Sequence, residues 1–202
     1  VRAGKVRYIG FSNWSAWKVA AAMEIQKARG WAQFTHGQMY YSLLGRDVER
    51  DVLPMLRHFG LGMTVWSPLA YGFLSGAYTR ESLAQPDNRF SNFDMLQFDK
   101  AKAFALLDCM RPIAAARGIS VAQLALAWLL ARPGVSSILL GATKMHQLDD
   151  NLAAADVTLS AEDLAALDTA TAIEPLYPTS QWIEPDRKTA RAIGHKVSGA
   201  IA

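Results

Sequence analysis

Cysteine is almost absent. Cys109 stands alone among 202 residues, so no internal disulfide can form and the fold must rest on packing. It lies in the apolar stretch Ala105-Leu-Leu-Asp-Cys-Met110 and reads as a small buried hydrophobe rather than a reactive thiol. Charge is scarce too. Asp, Glu, Lys and Arg make up only 19% of residues, the net charge is +3, and no Lys/Arg-rich run occurs, which removes the footprint of a nucleic-acid binder. The pI near 9.1 reflects a small cationic excess; a few cations grouped around a phosphate fit it equally well. No apolar run approaches the ~20 residues that cross a bilayer. No signal-peptide pattern opens the chain, so a cytoplasmic location is expected. An initiator Met is also missing. Val1-Arg-Ala-Gly4-Lys-Val-Arg-Tyr8 reads as a helix end, a Gly4 cap and a strand, which predicts a piece of something longer.

What is present is 51% hydrophobic residues, enough for one well-buried core. Strands are predicted at Val6–Phe11, weakly at Gln33–Gln38, at Met63–Trp66 and at Val135–Leu140. Helical spacing runs from Ser15 to Ala28 and from Asp47 to Phe59, where Pro54 predicts a kink or a late start. Ser67 to Phe98 reads as one long loop, a length that usually signals function. Asp99 to Ala116 is helical with Pro112 inside it, which predicts a kink or two pieces. Ser120-Val-Ala-Gln123 and Ser160-Ala-Glu-Asp163 match capping boxes that open helices to Ala131 and Ala170, and another helix is expected from Met145 to Ala154. Strands alternating with helices predict a parallel α/β sheet. Four strands make half of an eight-stranded (β/α) barrel, or an open α/β sheet.

Parallel α/β folds bind ligands at the C-terminal ends of their strands. Here those ends carry Ser12-Asn13-Trp14, His36-Gly-Gln38-Met-Tyr40, Trp66-Ser67-Pro68-Leu69 through Gly72 to Ser75-Gly76, and Gly141-Ala-Thr143-Lys144. Amides, hydroxyls, a Gly-rich loop and a helix start suit a phosphate-bearing ligand. Lys144, expected in the first turn of a helix, opposes the helix dipole unless an anion sits between it and the free N–H groups. As a solvated lysine it would merely cover the turn with its stem. His36 is open to two readings, facing a substrate or satisfied structurally. Trp66 taken alone is a core residue.

GFSNW, Gln38 with YYSLLGRDVERDVLP, VWSPLAYGFLSGAY, RFSNFD and LLGATKMHQLDDNL together resemble aldo-keto reductases. The likeness is strongest to bacterial oxidoreductases related to potassium-channel β subunits, and it runs from residue 1 to about Leu167. It implies a (β/α)8 barrel of which this chain supplies strands 5–8, with residues 1–173 as the C-terminal half and 174–202 as an extension. It implies NADP(H) as cofactor and a small aldehyde or ketone as substrate. Ser12, Asn13 and Gln38 match the residues that hold the nicotinamide carboxamide, and Trp66 the ring that stacks on nicotinamide. Ser67, Pro68, Leu69, Gly72, Ser75 and Gly76 match the pyrophosphate loop, and Arg89 a basic residue near the phosphates. Gly141, Thr143, Lys144, Gln147, Asp150 and Asn151 match the adenosine end, with Thr143 and Lys144 at the 2′-phosphate. Relatives often carry Lys where this chain has Ala77, which puts the strength of phosphate binding in doubt.

The same resemblance places the catalytic Asp, Tyr, Lys and His in an N-terminal half ahead of residue 1, so the chain by itself is expected to be nearly inactive. It is expected to pair with that half or with a second copy, because half a barrel leaves strand edges and, on this reading, an apolar interior exposed. The alternative is a non-catalytic nucleotide-binding or interaction module of the channel-β-subunit type. No metal site, nucleic acid or membrane enters either reading.

Overall fold

Each of four short strands is followed by at least one helix: β1 (Ile9–Ser12), β2 (Phe34–Tyr40), β3 (Gly62–Trp66) and β4 (Val135–Ile138). They form one parallel sheet in the order β1-β2-β3-β4. The structure is a computed structural model, and it describes residues 1–85, 90 and 96–176. Val1–Thr171 make one unit, and Ala172–Ala202 a second, of which the described part, 172–176, is irregular chain. Arg89, most of the RFSNFD motif and most of the C-terminal extension lie outside the described residues.

The helices are α1 (Ala16–Ala28), α2 (Val52–Phe59), α3 (Arg80–Ala84), α4 (Lys100–Ala116), α5 (Val121–Leu130), α6 (Met145–Ala153) and α7 (Ala161–Ala170), with 3₁₀ turns at Asp47–Glu49, Phe73–Ser75 and Ala154–Asp156. Pro54 produces the late start. It is the third residue of α2, in the first turn, where its missing N–H has no helical partner to lose. Pro112 neither divides nor ends α4. Pro112 and Asp108, whose carbonyl loses its partner, both lie on the exposed face, where water takes over the bond. The segment after Ser67 is not one long loop, because α3 forms inside it. Thr79 caps this helix by accepting from the Ser82 amide, while the Ser82 hydroxyl accepts from the Thr79 amide. Both expected capping boxes are formed, at Ser120/Gln123 and Ser160/Asp163. Among the described residues no single helix is long and apolar enough to cross a membrane.

Alternation along the strands separates two faces. On one, Phe11, Met39, Met63 and Val65 are buried beneath the helices. Gly37 belongs to this face because the Phe11 ring lies over it; a Cβ there would come within 2.6 Å of Phe11. The opposite face corrects the expectation of an apolar interior. It presents Gly10, Ser12, His36 and Gln38, all exposed, with half-buried Thr64 and exposed Ser137 completing one row. Leaving polar groups in water costs little, so the penalty of ~1.5–3 kcal/mol per stranded Val, Ile or Leu does not fall on this face. Exposed apolar side chains lie elsewhere, among them Trp17 (69%), Ile25 and Trp31 on and beside α1, Met145 (69%) and Leu152 on α6, and Tyr8 ahead of β1.

α5 is buried on nearly every side, and its Trp128 is fully enclosed. The Trp128 ring is flanked by the guanidinium groups of Arg46 and Arg132, 5.1 and 4.6 Å from the ring centre. Its indole N–H donates to Asp168 (3.1 Å), which also accepts from Arg132 and pairs with Arg46. Arg46 grips Glu49 through two nitrogens at 2.7 and 2.9 Å, and Glu49 also accepts from the Tyr41 hydroxyl at 2.6 Å. Two cations balance two carboxylates here, and together they fasten α7 to the segment after β2.

Candidate functional site

The C-terminal ends of the strands are where the backbone departs from relaxed geometry. Only Asn13, Ser67, Ala70 and Tyr71 combine a side chain with positive φ among the described residues, at 56°, 51°, 47° and 56°. All four follow β1 or β3. Such conformations cost an L-residue ~1–2 kcal/mol each and persist where the surroundings impose them, commonly at binding sites. The loop after β3 is held by its own bonds. Ser67 accepts from the Ala70 amide at its carbonyl and from the Tyr71 amide at Oγ, and the Ser75 hydroxyl donates to the Gly72 carbonyl at 2.7 Å. Gly72 and Gly76 sit at φ 90° and 76°, where glycine alone is unstrained.

Between this loop and the segment after β4 lies a cleft of about 320 Å³, lined in part by Trp66, Ser67, Pro68, Leu69, Gly72, Gly141 and Asn151. Seven of the residues singled out from the sequence thus meet in one place. Asn151 is 7% exposed, a buried polar side chain at the cleft wall. Asn13 joins the group through a hydrogen bond, its Oδ1 accepting from Trp66 Nε1 at 3.0 Å. Ser12 and Gln38 are in register with each other on the open sheet face, next to Asn13 and two register positions before Trp66.

The remaining candidates are less gathered. Ser75 and Gly76 belong to the loop but do not line the cleft. Lys144 lies at the N-cap of α6, with extended backbone, rather than in its first turn, and it is exposed. Thr143 donates from both its amide and its hydroxyl to Gln147 Oε1, at 3.2 and 3.3 Å, so these two are already joined. Asp150 is engaged away from the cleft. Its carboxylate accepts from the Ser120 hydroxyl at 2.7 Å and the Gln123 amide at 2.9 Å, tying α6 to the start of α5. His36 lies over Gly10 on the open face and shares a 3.0 Å hydrogen bond with the Thr35 hydroxyl.

Sequence reading missed Tyr71, Leu139 and Leu140 in the cleft wall. It named Tyr40 at a strand end without giving it a role; the Tyr40 ring packs on Trp66 at 5.3 Å and its hydroxyl bonds to Ser42 Oγ at 2.8 Å. Burial pushes the Tyr40 phenol up to about 12, against the pull of the Ser42 bond. Tyr71 stood inside a recognised motif, but nothing in the residue type announces a left-handed backbone. Tyr40 and Asn13 also line a second hollow, of about 290 Å³, with Trp14, Ser15 and Asp47. The Trp66 indole is therefore fixed along its edge and on a flank while its surroundings remain open. A flat aromatic wall, backbone amides and polar side chains suit a planar heteroaromatic ring carrying an amide and a phosphate-bearing chain. Among the described residues no cluster of three or more His, Cys, Asp or Glu could hold a metal ion.

Comparison with known proteins places the chain in a family. Residues 1–172 match the model of the Aldo/keto reductase family. The chain is 37% identical over 159 residues to a probable voltage-gated potassium channel subunit beta of Oryza sativa, covering 76% of this chain and 48% of the relative. It is 33% identical over 167 residues to the uncharacterized oxidoreductase YrpG of Bacillus subtilis (83% and 49%) and 30% identical over 179 residues to versiconal hemiacetal acetate reductase of Aspergillus parasiticus (88% and 50%). The chain spans about half the length of the curated relatives it matches.

Proposed function

The chain belongs to the aldo/keto reductase family, and from that premise we propose that it is the cofactor-binding half of an NADPH-dependent aldehyde or ketone reductase. In this reading it is the C-terminal half of the barrel, and the catalytic Asp, Tyr, Lys and His belong to an N-terminal half outside this sequence. The observation that carries the proposal is the cleft, where Trp66, Ser67, Pro68, Leu69, Gly72, Gly141 and Asn151 converge and Asn13 fixes the Trp66 edge.

Bound NADPH supplies the hydride. The residues of this chain bind and orient. Ser12, Asn13 and Gln38 hydrogen-bond the carboxamide and so select the ring face that is presented. Trp66 covers the opposite face, braced by Tyr40. The loop from Ser67 to Gly76 offers backbone to the pyrophosphate with its conformation already set, which lowers the ordering cost of binding. Thr143 and Lys144, at the start of α6, meet the 2′-phosphate, with Gln147 alongside and Arg89 as a further cation. Asp150 supports the site indirectly by anchoring α6 to α5. Reduction needs a proton donor for the developing alkoxide, and that donor comes from the N-terminal half. We also propose that this half, or a second copy of the chain, covers the polar sheet face and completes eight strands. Sedimentation of a well-folded monomer without the N-terminal half would refute the need for a partner.

Titration with NADPH tests the site. Tryptophan emission falls on binding, the Trp66→Phe variant loses most of that change, and Lys144→Ala weakens NADPH more than NADH. No quenching at ~1 mM NADPH, in the chain joined to an N-terminal half, overturns the reading. A second reading, a non-catalytic nucleotide-binding module, is favoured by the names of the rice and Arabidopsis thaliana relatives, both probable channel β subunits. Aldehyde turnover by the joined protein separates the two.

A further inference from the structure

A separate pocket, with two arginines in its wall, shares no lining residue with the cleft. It has a volume of about 200 Å³ and is bounded by Tyr41, Glu49, Leu53, Pro54, Arg57, Arg132 and Pro133. This is several times the ~30 Å³ of one water. We propose that it is a binding site for a small oxyanion, a phosphate or a carboxylate, held between Arg57 of α2 and Arg132 at the α5–β4 turn.

Three observations lead there. First, the pocket keeps one cation in excess. Arg46 and Arg132 are balanced by Glu49 and Asp168, both Glu49 oxygens are taken, Oε1 by Arg46 and Tyr41 and Oε2 by Arg46, and Arg57 adds a positive charge for which the lining has no carboxylate left over. Second, Arg132 is fixed but not used up. Its guanidinium lies on the Trp128 face at 4.6 Å and donates to Asp168 through Nη1 alone. Its buried Nε has no acceptor, although a buried N–H normally finds one in protein, water or an ion. Third, Arg57 makes no side-chain hydrogen bond or ion pair among the described residues, and it is exposed at the pocket mouth. An immobilised guanidinium beside a free one fits the forked geometry that oxyanions accept. The Tyr41 hydroxyl, committed to Glu49, closes the wall rather than contributing a donor.

Thermal unfolding in inorganic phosphate, in acetate, and in chloride at matched ionic strength tests the assignment on the full chain. The cleft is also expected to attract phosphate, so Lys144→Ala serves as the control. The expected result is a rise in midpoint with phosphate or acetate but not chloride, retained in Lys144→Ala, reduced in Arg57→Ala and absent in the double variant. By calorimetric titration the anion should bind about tenfold more weakly to Arg57→Ala. The anion that raises the midpoint identifies the ligand class. Arg57 is exposed, so its variant should unfold with the wild-type midpoint in chloride; if it does not, Arg57→Lys takes its place and should show a reduced anion effect. A rise that survives Arg57→Ala in the Lys144→Ala background, or vanishes in Lys144→Ala alone, or is matched by chloride, overturns the proposal, as does no rise at all.

Discussion

Asn13 holds two properties that substitution can separate: a left-handed backbone at φ 56° and a carboxamide that accepts from Trp66 Nε1 at 3.0 Å. Asn13→Gly removes the carboxamide and relaxes the backbone. Asn13→Ala removes the carboxamide and leaves a Cβ in the left-handed region. The lost bond is exposed, so it contributes at most ~0.5–1.5 kcal/mol. An alanine at this φ adds ~1–2 kcal/mol of strain, where asparagine is better tolerated. Asn13→Gly should therefore lie within ~1 kcal/mol of wild type after allowing for its extra unfolded-state entropy, and Asn13→Ala should be less stable than Asn13→Gly by ~1 kcal/mol or more. Both variants free the Trp66 edge, so both should bind NADPH about tenfold more weakly, the equivalent of ~1.4 kcal/mol. Urea unfolding midpoints report the first quantity and fluorescence titration the second. Equal midpoints for the two variants would show that the turn after β1 carries no strain. NADPH affinity equal to wild type in both would remove Asn13 from the site.

Two further outcomes follow from the interior. Asp168→Ala leaves Arg46, Arg132 and the Trp128 N–H without their shared acceptor; the arginine side chains are 10% and 16% exposed, so the loss should be ~3 kcal/mol, at the low end for a broken buried pair because Asp168 itself is 36% exposed. A urea midpoint equal to wild type would refute it. Tyr40 ionises near ~10 in the unfolded chain and at about 12 when folded. Its contribution is therefore fully present below the first value and lost as pH rises through the second. Urea midpoints between pH 9 and 11.5 should fall less steeply in Tyr40→Phe than in wild type, and identical slopes would contradict this.

What was legible in the sequence was local or periodic. Ser120/Gln123 and Ser160/Asp163 announce their helices because both partners of each cap lie within one turn. The four strands follow from β-branched and apolar runs between turn residues, and seven of the cleft residues from motifs at strand ends. What escaped depends on contacts distant in sequence or on backbone angles. The bond between Asn13 and Trp66 spans 53 positions. The engagement of Asp150 with Ser120 and Gln123 joins segments about 30 apart, whereas the family resemblance and the helical spacing aim it at a ligand. Ala70 and Tyr71 give no sign of positive φ. The character of the open sheet face was misjudged because the apolar strand residues were counted without assigning each to a side; Phe11, Met39, Met63 and Val65 all point to the helices.

The polar row across the sheet, from Ser12 through Gln38 and Thr64 to Ser137, bears on what can lie against it. A face already wetted gives up hydration, rather than gaining apolar contact, when anything covers it, so whatever comes to lie over these hydroxyl and carboxamide groups must offer them hydrogen-bond partners or leave water between.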